Sequence, residues 1–373
     1  MYATKNPSLL SATLIAIATT IGVSSSLMPA KAGTIRSDRS DWEYRSLANN
    51  FSSVGYLSAR NNSSGWGCSG TLIAQRFVLT AAHCVENSST GWMNQGTFWL
   101  GNQGYSVNLV GANTDWFNSG RDLGSGVDLA ILSLSQNVWN ANPAMLYDGR
   151  DEDLKMGTYV GYGATGNGDT GYYYYDYNKR AGQNTIGIGT RLGWSDRTLV
   201  SDFDDPRTAQ WNEPLSQPRN LEYQLAPGDS GGGLFIDGRL AGVHSFISST
   251  DGNTNSSYRD SSASVRVSSW TSWIRGAANY LAQWTGQPTP PIASSGGTTS
   301  NGEGWNRQAE APLAPQYDWF DDQVFVNFIT DVDFAQHDPG KPVDPTPATT
   351  PEPSALLGLM ALFGWMKLRK RER

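Results

Sequence analysis

Three short segments of the chain decide its fold: Thr80-Ala81-Ala82-His83-Cys84, Val127-Asp128-Leu129-Ala130-Ile131-Leu132 and Gly228-Asp229-Ser230-Gly231-Gly232-Gly233. A serine hydroxyl is a poor nucleophile at neutral pH unless an imidazole, oriented by a buried carboxylate, removes its proton. Each segment alone is typical of something simpler, namely a packed core histidine, a solvated turn or a flexible loop. Their joint occurrence predicts that His83, Asp128 and Ser230 form a catalytic group.

The order of the three segments separates two architectures. The stretch around Ser230 also fits the G-x-S-x-G turn of α/β-hydrolases, whose chain order is serine, acid, histidine and whose strands alternate with helices. Here the order is histidine, acid, serine, and the apolar runs do not alternate with helices. The α/β-hydrolase interpretation is therefore excluded.

The body of the chain, residues 33–287, is expected to be one all-β domain. Its short apolar runs are separated by turn residues, and the whole chain contains 41 glycines and only 16% charged residues. A single amphipathic helix is predicted over residues 268–281, where apolar residues recur at helical spacing. Strands are predicted at residues 54–57, 70–73, 77–80, 97–100, 129–134, 158–160, 233–236 and 240–246.

Further segments resemble the trypsin/chymotrypsin superfamily of serine proteases. They are Gly67-Cys68-Ser69-Gly70-Thr71-Leu72-Ile73, Gly161-Tyr162-Gly163, Leu240-Ala241-Gly242-Val243-His244-Ser245-Phe246 and Val265-Arg266-Val267-Ser268. The resemblance implies an all-β, chymotrypsin-like fold of two six-stranded antiparallel β-barrels with a C-terminal helix and the active site between the barrels. It also implies a serine endopeptidase that cleaves protein or peptide substrates through an acyl-enzyme.

The resemblance assigns roles to individual residues. His83 would be the general base, Asp128 would orient it, and Ser230 would attack the scissile carbonyl. The oxyanion hole would consist of the N–H groups of Gly228 and Ser230. A disulfide between Cys68 and Cys84 is implied as well, and the alternative is a pair of free buried thiols.

A substrate pocket is implied around Gln224, which lies six positions before Ser230. Trypsin-like members have an acid there, so cleavage after Lys or Arg is not expected. Ile247 and Ser262 stand where glycines line an open pocket in the family, which favours small or apolar residues before the cut.

His244, followed by Ser245 and Phe246, leaves the specificity open. Bacterial glutamyl endopeptidases have a histidine at this position that contacts a substrate carboxylate, so a preference for Glu is one expectation. A buried structural histidine is the other.

Activation is a further expectation drawn from the family. Many members pair a freed N-terminal Ile or Val with the acid preceding the serine, which here is Asp229. The chain has no Ile-Val-Gly-Gly start, and Ile35 is the best candidate for that pairing. Many bacterial relatives organise the site without this step, so that alternative stays open.

The N-terminal end reads as a processing signal. Residues 1–32 combine a basic start, an apolar run and Ala30-Lys31-Ala32, which is typical of a secretory signal peptide. Export and cleavage by signal peptidase are therefore expected, with Gly33 as the first mature residue.

The C-terminal end reads as a sorting signal. Residues 288–350 form a spacer rich in proline and acids that is expected to be disordered, apart from a possible strand within residues 324–334. Residues 351–373 contain Pro351-Glu352-Pro353, a short apolar run and a basic end, and resemble a PEP-CTERM sorting tail. The resemblance implies transient membrane insertion, removal by an exosortase, and a secreted or cell-surface protein.

Composition limits the partners. With 27 basic and 34 acidic residues the net charge is -7, which argues against a nucleic-acid partner. Two cysteines and three histidines provide no metal motif, and no cofactor is expected. The alternative function is a catalytically silent surface or matrix binding module, in which the aromatic run Tyr172-Tyr173-Tyr174-Tyr175 would contact a polysaccharide.

Overall fold

The computed structural model describes residues 33–87, 91–208, 214–286, 288, 291–293 and 324–328. Its helices are α1 (Asp41–Ala48), α2 (Thr114–Asn118) and α3 (Thr271–Thr285). Its strands are β1 (Gly33–Ile35), β2 (Val54–Arg60), β3 (Gly65–Ala74), β4 (Phe77–Thr80), β5 (Glu86–Asn87), β6 (Gly91–Trp92), β7 (Gln95–Leu100), β8 (Gln103–Asn113), β9 (Ala130–Leu134), β10 (Met156–Gly161), β11 (Thr165–Asn167), β12 (Gly171–Tyr174), β13 (Arg180–Thr185), β14 (Gly187–Ile188), β15 (Thr198–Asp202), β16 (Tyr223–Gln224), β17 (Gly233–Ile236), β18 (Arg239–Ser248), β19 (Ser261–Arg266) and β20 (Val324–Phe328).

The first half of the chain closes into an antiparallel barrel. The strand order is β7-β2-β3-β4-β9, and β8 pairs with both β7 and β9, which closes a ring of six strands. Both β4 and β9 are buried along their whole length, as their mainly apolar sequences favour, and each contains one polar residue, Thr80 and Ser133 respectively. This barrel carries His83 just after β4 and Asp128 just before β9.

The second half forms a seven-stranded sheet in the order β13-β10-β17-β18-β19-β15-β14, curled into a half-barrel. The all-β, two-barrel architecture with a C-terminal helix is confirmed, but this second unit is not a closed ring of six strands. Its edge strand β14 is only two residues long and therefore offers little backbone for pairing. A small sheet in the order β12-β11-β1-β16 lies beside it and incorporates the segment Gly33–Ile35.

The helices differ from expectation at three places, one of which is the short helix α2 (Thr114–Asn118), which was not predicted. Helix α3 begins at Thr271, three residues later than predicted, because Val267–Ser269 form a 3-10 turn. Helix α1 was not predicted, although Ser40 and Glu43 form a capping box at its start. That serine–glutamate spacing is a helix-start signal that could have revealed it.

Strand β20 confirms the strand expected within the spacer. It pairs antiparallel with β8 on the outside of the first barrel, with Val324 opposite Asn113 and Phe328 opposite Leu109. Residues 1–32 and 351–373, the expected signal peptide and PEP-CTERM segment, lie outside the described residues, as does the spacer apart from residues 288, 291–293 and 324–328. Within those residues, no helix has the length and apolar character needed to span a membrane.

Candidate active site

His83 and Asp128 are held against each other at the end of the first barrel. His83 lies in a 3-10 turn directly after β4, and its Nδ1 is 2.7 Å from Asp128 Oδ2. The backbone N–H of His83 also donates to Asp128 Oδ1 at 2.9 Å. Because the carboxylate can only accept, Nδ1 carries the proton, and Nε2 is the nitrogen with a lone pair.

The carboxylate of Asp128 is ionised despite complete burial. Burial by itself would raise the pKa of Asp128, but the nearby charge of His83 and the hydrogen bonds from His83 and Ser245 outweigh it and lower the pKa. The Ser245 hydroxyl donates to Asp128 Oδ2 at 2.6 Å. Sequence reasoning put Ser245 in the substrate pocket and missed this contact.

Ser230 lies on a tight turn between the two halves of the molecule. Gly228 and Gly231 have φ angles of +96° and +81°, which glycine adopts at little cost. A Cβ on Gly231 would be 2.1 Å from Thr80 Oγ1, so the turn packs directly on β4. Within the described part of the chain, neither Gly228 N–H nor Ser230 N–H donates to a protein acceptor. Both N–H groups are therefore available to a ligand.

The disulfide and one serine join this turn to the histidine. Cys68 and Cys84 are bonded, as the resemblance implied, and Cys84 Sγ lies 3.5 Å from the carbonyl oxygen of Ser230. Ser69 N–H donates to that same carbonyl at 2.7 Å, and Ser69 Oγ donates to Gly228 O at 2.9 Å. The strand β3 thereby holds the Ser230 carbonyl against Cys84, the residue that follows His83.

The carboxylate of Asp229 holds the turn around Ser230 in place. Its buried carboxylate accepts hydrogen bonds from Gly163 N–H at 2.8 Å, Ala226 N–H at 2.9 Å and the Tyr223 hydroxyl at 3.2 Å. Burial raises the pKa of Asp229 to about 7, although these three donors lower it. A Cβ on Gly161 would be 2.2 Å from Asp229 Oδ1, so the approach requires glycine there.

Ile35 has no described contact with the Asp229 carboxylate. It lies in β1 with its backbone paired opposite Tyr223 of β16. Gly33 is nearer, because a Cβ on Gly33 would be 2.0 Å from the Tyr223 hydroxyl that bonds Asp229.

The residues expected to line the substrate pocket include a neutral, buried polar pair. Gln224 and Ser262 are fully buried, and Ser262 Oγ donates to Gln224 Oε1 at 2.7 Å while it accepts from Leu225 N–H at 3.0 Å. Among the described residues, Gln224 Nε2 is buried without a hydrogen-bond partner. Phe246 and Ile247 are partly exposed on β18.

His244 is held by contacts within the protein. It is fully buried, stacked on Tyr159 at 5.4 Å, with Nε2 accepting from Val160 N–H and Nδ1 within 3.1 Å of Ser264 Oγ. Burial lowers the pKa of His244 to about 3, so the ring is neutral. These contacts favour the expectation of a structural histidine over that of a histidine that binds a substrate carboxylate.

One group of residues could be mistaken for a metal centre. Among the described residues, the ligand atoms of Cys68, His83 and Cys84 lie close enough together to hold an ion. Both sulfur atoms are bonded to each other in the disulfide, which leaves His83 alone as a ligand.

Comparison with known proteins shows the family to which the chain belongs. A family model described as Trypsin matches residues 48–274, more than half of the chain. The chain belongs to the trypsin family. It is 27% identical over 244 residues to the chymotrypsin of Phaedon cochleariae, covering 61% of this chain and 78% of that protein. It is 28% identical over 231 residues to an uncharacterized peptidase of Corynebacterium glutamicum, covering 61% and 67% respectively.

Two further similarities complete the comparison. Chymotrypsin-like elastase family member 1 of Macaca fascicularis is 26% identical over 219 residues, 56% of this chain and 77% of that protein. The structure of neuropsin, a serine protease expressed in the limbic system of mouse brain, matches with a TM-score of 0.48 and 16% identity over 62% of this chain and 97% of that one. Family membership and the peptidase relatives identify the trypsin-family chain as a serine peptidase.

Proposed function

We propose that this trypsin-family protein is an exported serine endopeptidase that works through His83, Asp128 and Ser230. The observation that carries the proposal is the 2.7 Å contact between His83 Nδ1 and the fully buried carboxylate of Asp128. It directs the lone pair of Nε2 away from Asp128 and stabilises the imidazolium that forms when Ser230 loses its proton.

The reaction then follows in two steps. His83 takes the proton of Ser230 Oγ, which attacks the scissile carbonyl, and the developing oxyanion accepts hydrogen bonds from Gly228 and Ser230 N–H. Each such donor stabilises the transition state by about 3–4 kcal/mol. His83 then protonates the leaving amine, and water hydrolyses the ester formed on Ser230.

Labelling with a fluorophosphonate tests the nucleophile. We expect the purified wild-type protein to be labelled and the Ser230→Ala variant to remain unlabelled. The variant Ser248→Ala, at the end of β18, is the matched control and should be labelled like the wild type. A wild type that takes no label after full processing would favour the binding-module alternative.

For specificity, we propose cleavage after small or apolar residues. The neutral floor formed by Gln224 and Ser262 supports this, because it offers no carboxylate to a Lys or Arg side chain. The buried, neutral state of His244 speaks against a preference for Glu. A peptide panel that varies only the residue before the cut tests the proposal, and a strong preference for Lys, Arg or Glu would contradict it.

Export and activation remain proposals that rest on the sequence. We propose a domain order of signal peptide (1–32), protease domain (33–287), spacer (288–350) and PEP-CTERM segment (351–373), processed by signal peptidase and an exosortase. If the Ile35–Asp229 pairing operates, active protein must begin at Ile35. N-terminal sequencing of active protein decides this, because a start at Gly33 rules the Ile35 pairing out.

A further inference from the structure

A run of tyrosines is exposed beside the serine turn. Tyr173, Tyr174 and Tyr175, at the end of β12, are 55%, 47% and 39% exposed. Large exposed aromatic patches on soluble proteins mark binding surfaces, since burying the rings against a partner is favourable. The catalytic reaction described above makes no use of this run.

Tyr175 borders the candidate oxyanion hole. A Cβ on Gly228 would be 3.2 Å from Tyr175 Cε1, so the ring packs directly on the glycine whose N–H faces the reacting carbonyl. With Gly228 N–H in the oxyanion hole as proposed, the Tyr175 ring lies close to the bond that is cut.

Tyr177, just after the run, packs on the strands that hold the disulfide next to His83. In the proposed reaction His83 protonates the leaving amine, and its neighbour Cys84 is bonded to Cys68 of β3. Tyr56 of β2 is paired opposite Ser69, the residue after Cys68, and packs edge-on against Tyr177 at 5.5 Å. This contact connects the end of the tyrosine run to the leaving-group side, while β12 lies in the same small sheet as β16, which carries Gln224.

The backbone after Tyr175 is pinned. Asp176 accepts two hydrogen bonds from Arg180, at 3.0 Å and 2.8 Å, and Arg180 is fully buried and also bonds Asp41 of α1. Tyr172 N–H donates to Asn255 O at 2.8 Å at the start of the run. A ring held at both ends of its segment binds with little loss of conformational entropy.

We propose that Tyr175, supported by Tyr56 and Tyr177, forms the binding surface for the substrate residue that follows the cleaved bond. It selects apolar and aromatic side chains at that position. The proposal rests on the serine peptidase activity proposed above and names a specificity element on the leaving-group side.

Acyl transfer to an added amine measures binding at the tyrosine surface separately from binding in the substrate pocket. An ester substrate acylates Ser230, and an added amino-acid amide then competes with water for the acyl group. Its amine nitrogen attacks the ester carbonyl and forms a new amide bond. The bond from the carbonyl carbon to Ser230 Oγ breaks, and Oγ recovers the proton that His83 takes from the amine. The partition between amide and acid products is independent of the rate of acylation.

The experiment uses the full chain and whichever p-nitrophenyl ester of a panel it hydrolyses fastest. We expect phenylalaninamide and leucinamide to capture the acyl group about five- to tenfold better than glycinamide. Tyr175→Ala should reduce this preference to within about twofold, and Tyr175→Phe should retain it. The matched control is Trp139→Ala, which removes an aromatic ring that is 74% exposed beyond the far end of β9.

The outcomes separate the two proposals. Ester hydrolysis with equal capture of all three amides, or a preference that survives Tyr175→Ala, would overturn the tyrosine surface alone. A wild type that hydrolyses no ester in the panel would overturn the peptidase and the surface together.

Discussion

Asp128 accepts three hydrogen bonds in a site with no access to water. Two come from His83 and the third from the Ser245 hydroxyl. The third bond fixes the position of Oδ2, the atom that accepts from His83 Nδ1, and contributes to the lowered pKa of Asp128. Ser245 is therefore a positioning residue, because it acts on the base through the carboxylate.

Replacing Ser245 tests this role. We expect Ser245→Ala to lower kcat/KM at least about tenfold, since losing a hydrogen bond to a charged group costs about 1.5–3 kcal/mol. It should also raise the pKa of Asp128 and broaden the acid limb of the pH–rate profile. Ser264→Ala, which removes a hydroxyl from His244 instead, is the matched control and should leave the profile unchanged.

Tyr223 plays a comparable part for Asp229. Its hydroxyl donates to a carboxylate whose pKa burial raises to about 7. Because the donor stabilises the ionised form, its loss in Tyr223→Phe should raise that pKa further. The free energy of unfolding should then fall by about 1–3 kcal/mol at pH 8.5, where Asp229 is ionised in the wild type, and by less at pH 5.5. Equal losses in denaturant melts at the two pH values would contradict the role of this hydrogen bond.

At the scale of elements, strand β20 stands apart because it comes from the spacer. Val324 is 4% exposed, and a Cβ on Gly111 would be 2.9 Å from its Cγ1, so the two strands fit closely at this glycine. Phe325 stacks on Trp92 at 5.6 Å and packs on Phe117 at 5.3 Å. The strand covers the outer edge of β8, whose other edge pairs with β9 just after Asp128.

A charge at Val324 should detach this strand. We expect Val324→Asp to increase hydrogen exchange of the β8 amides that bond β20 at least tenfold, since an unpaired buried carboxylate is costly. The amides of β3 serve as an internal control and should keep their protection. Unchanged exchange in β8 would mean that β20 contributes no stability to the barrel.

Elements with strong local patterns were predictable, and those without were not. The bounds of β4 and β17 agree with the predicted strands, since each is a continuous apolar run between turns. Helix α1 was missed because its apolar face is short and its capping box was the local signal left unused. The hydroxyl of Tyr44 in this helix bonds the distant carbonyl of Glu222 at 3.0 Å. No local pattern contains that contact.

At the scale of the whole molecule, buried acidic side chains lower the free energy of unfolding at high pH. Glu222 is fully buried and accepts from Asp204 N–H at 3.0 Å. Burial raises the pKa of both Glu222 and Asp204. Repulsion by the Asp204 carboxyl raises the pKa of Glu222 further, and repulsion by Asp202 raises the pKa of Asp204. Each group thus keeps its proton in the folded state at pH values where the unfolded chain has lost it. Stability therefore falls as pH rises above the ordinary carboxyl range.

Glu222→Gln isolates this effect, because the amide resembles the protonated acid in size and polarity. The unfolding free energy of the variant relative to the wild type should increase between pH 5 and pH 8, by at most about 1.4 kcal/mol per pH unit. Denaturant titrations across that range measure the difference, which cancels the titration of every other group. A difference that does not change with pH would refute the account.

The sequence by itself determined the all-β class, the strands with continuous apolar runs such as β4 and β17, and the identity of the candidate catalytic residues, because each depends on a local pattern or on the order of short motifs. Only the tertiary structure decided which side chains meet. In the folded protein Ser245 donates a hydrogen bond to Asp128 and His244 stacks on Tyr159. The second half forms an open half-barrel, and β20 pairs with β8. The reason is physical: these contacts join residues far apart in the chain, and burial and strand register, which no short segment encodes, select among them.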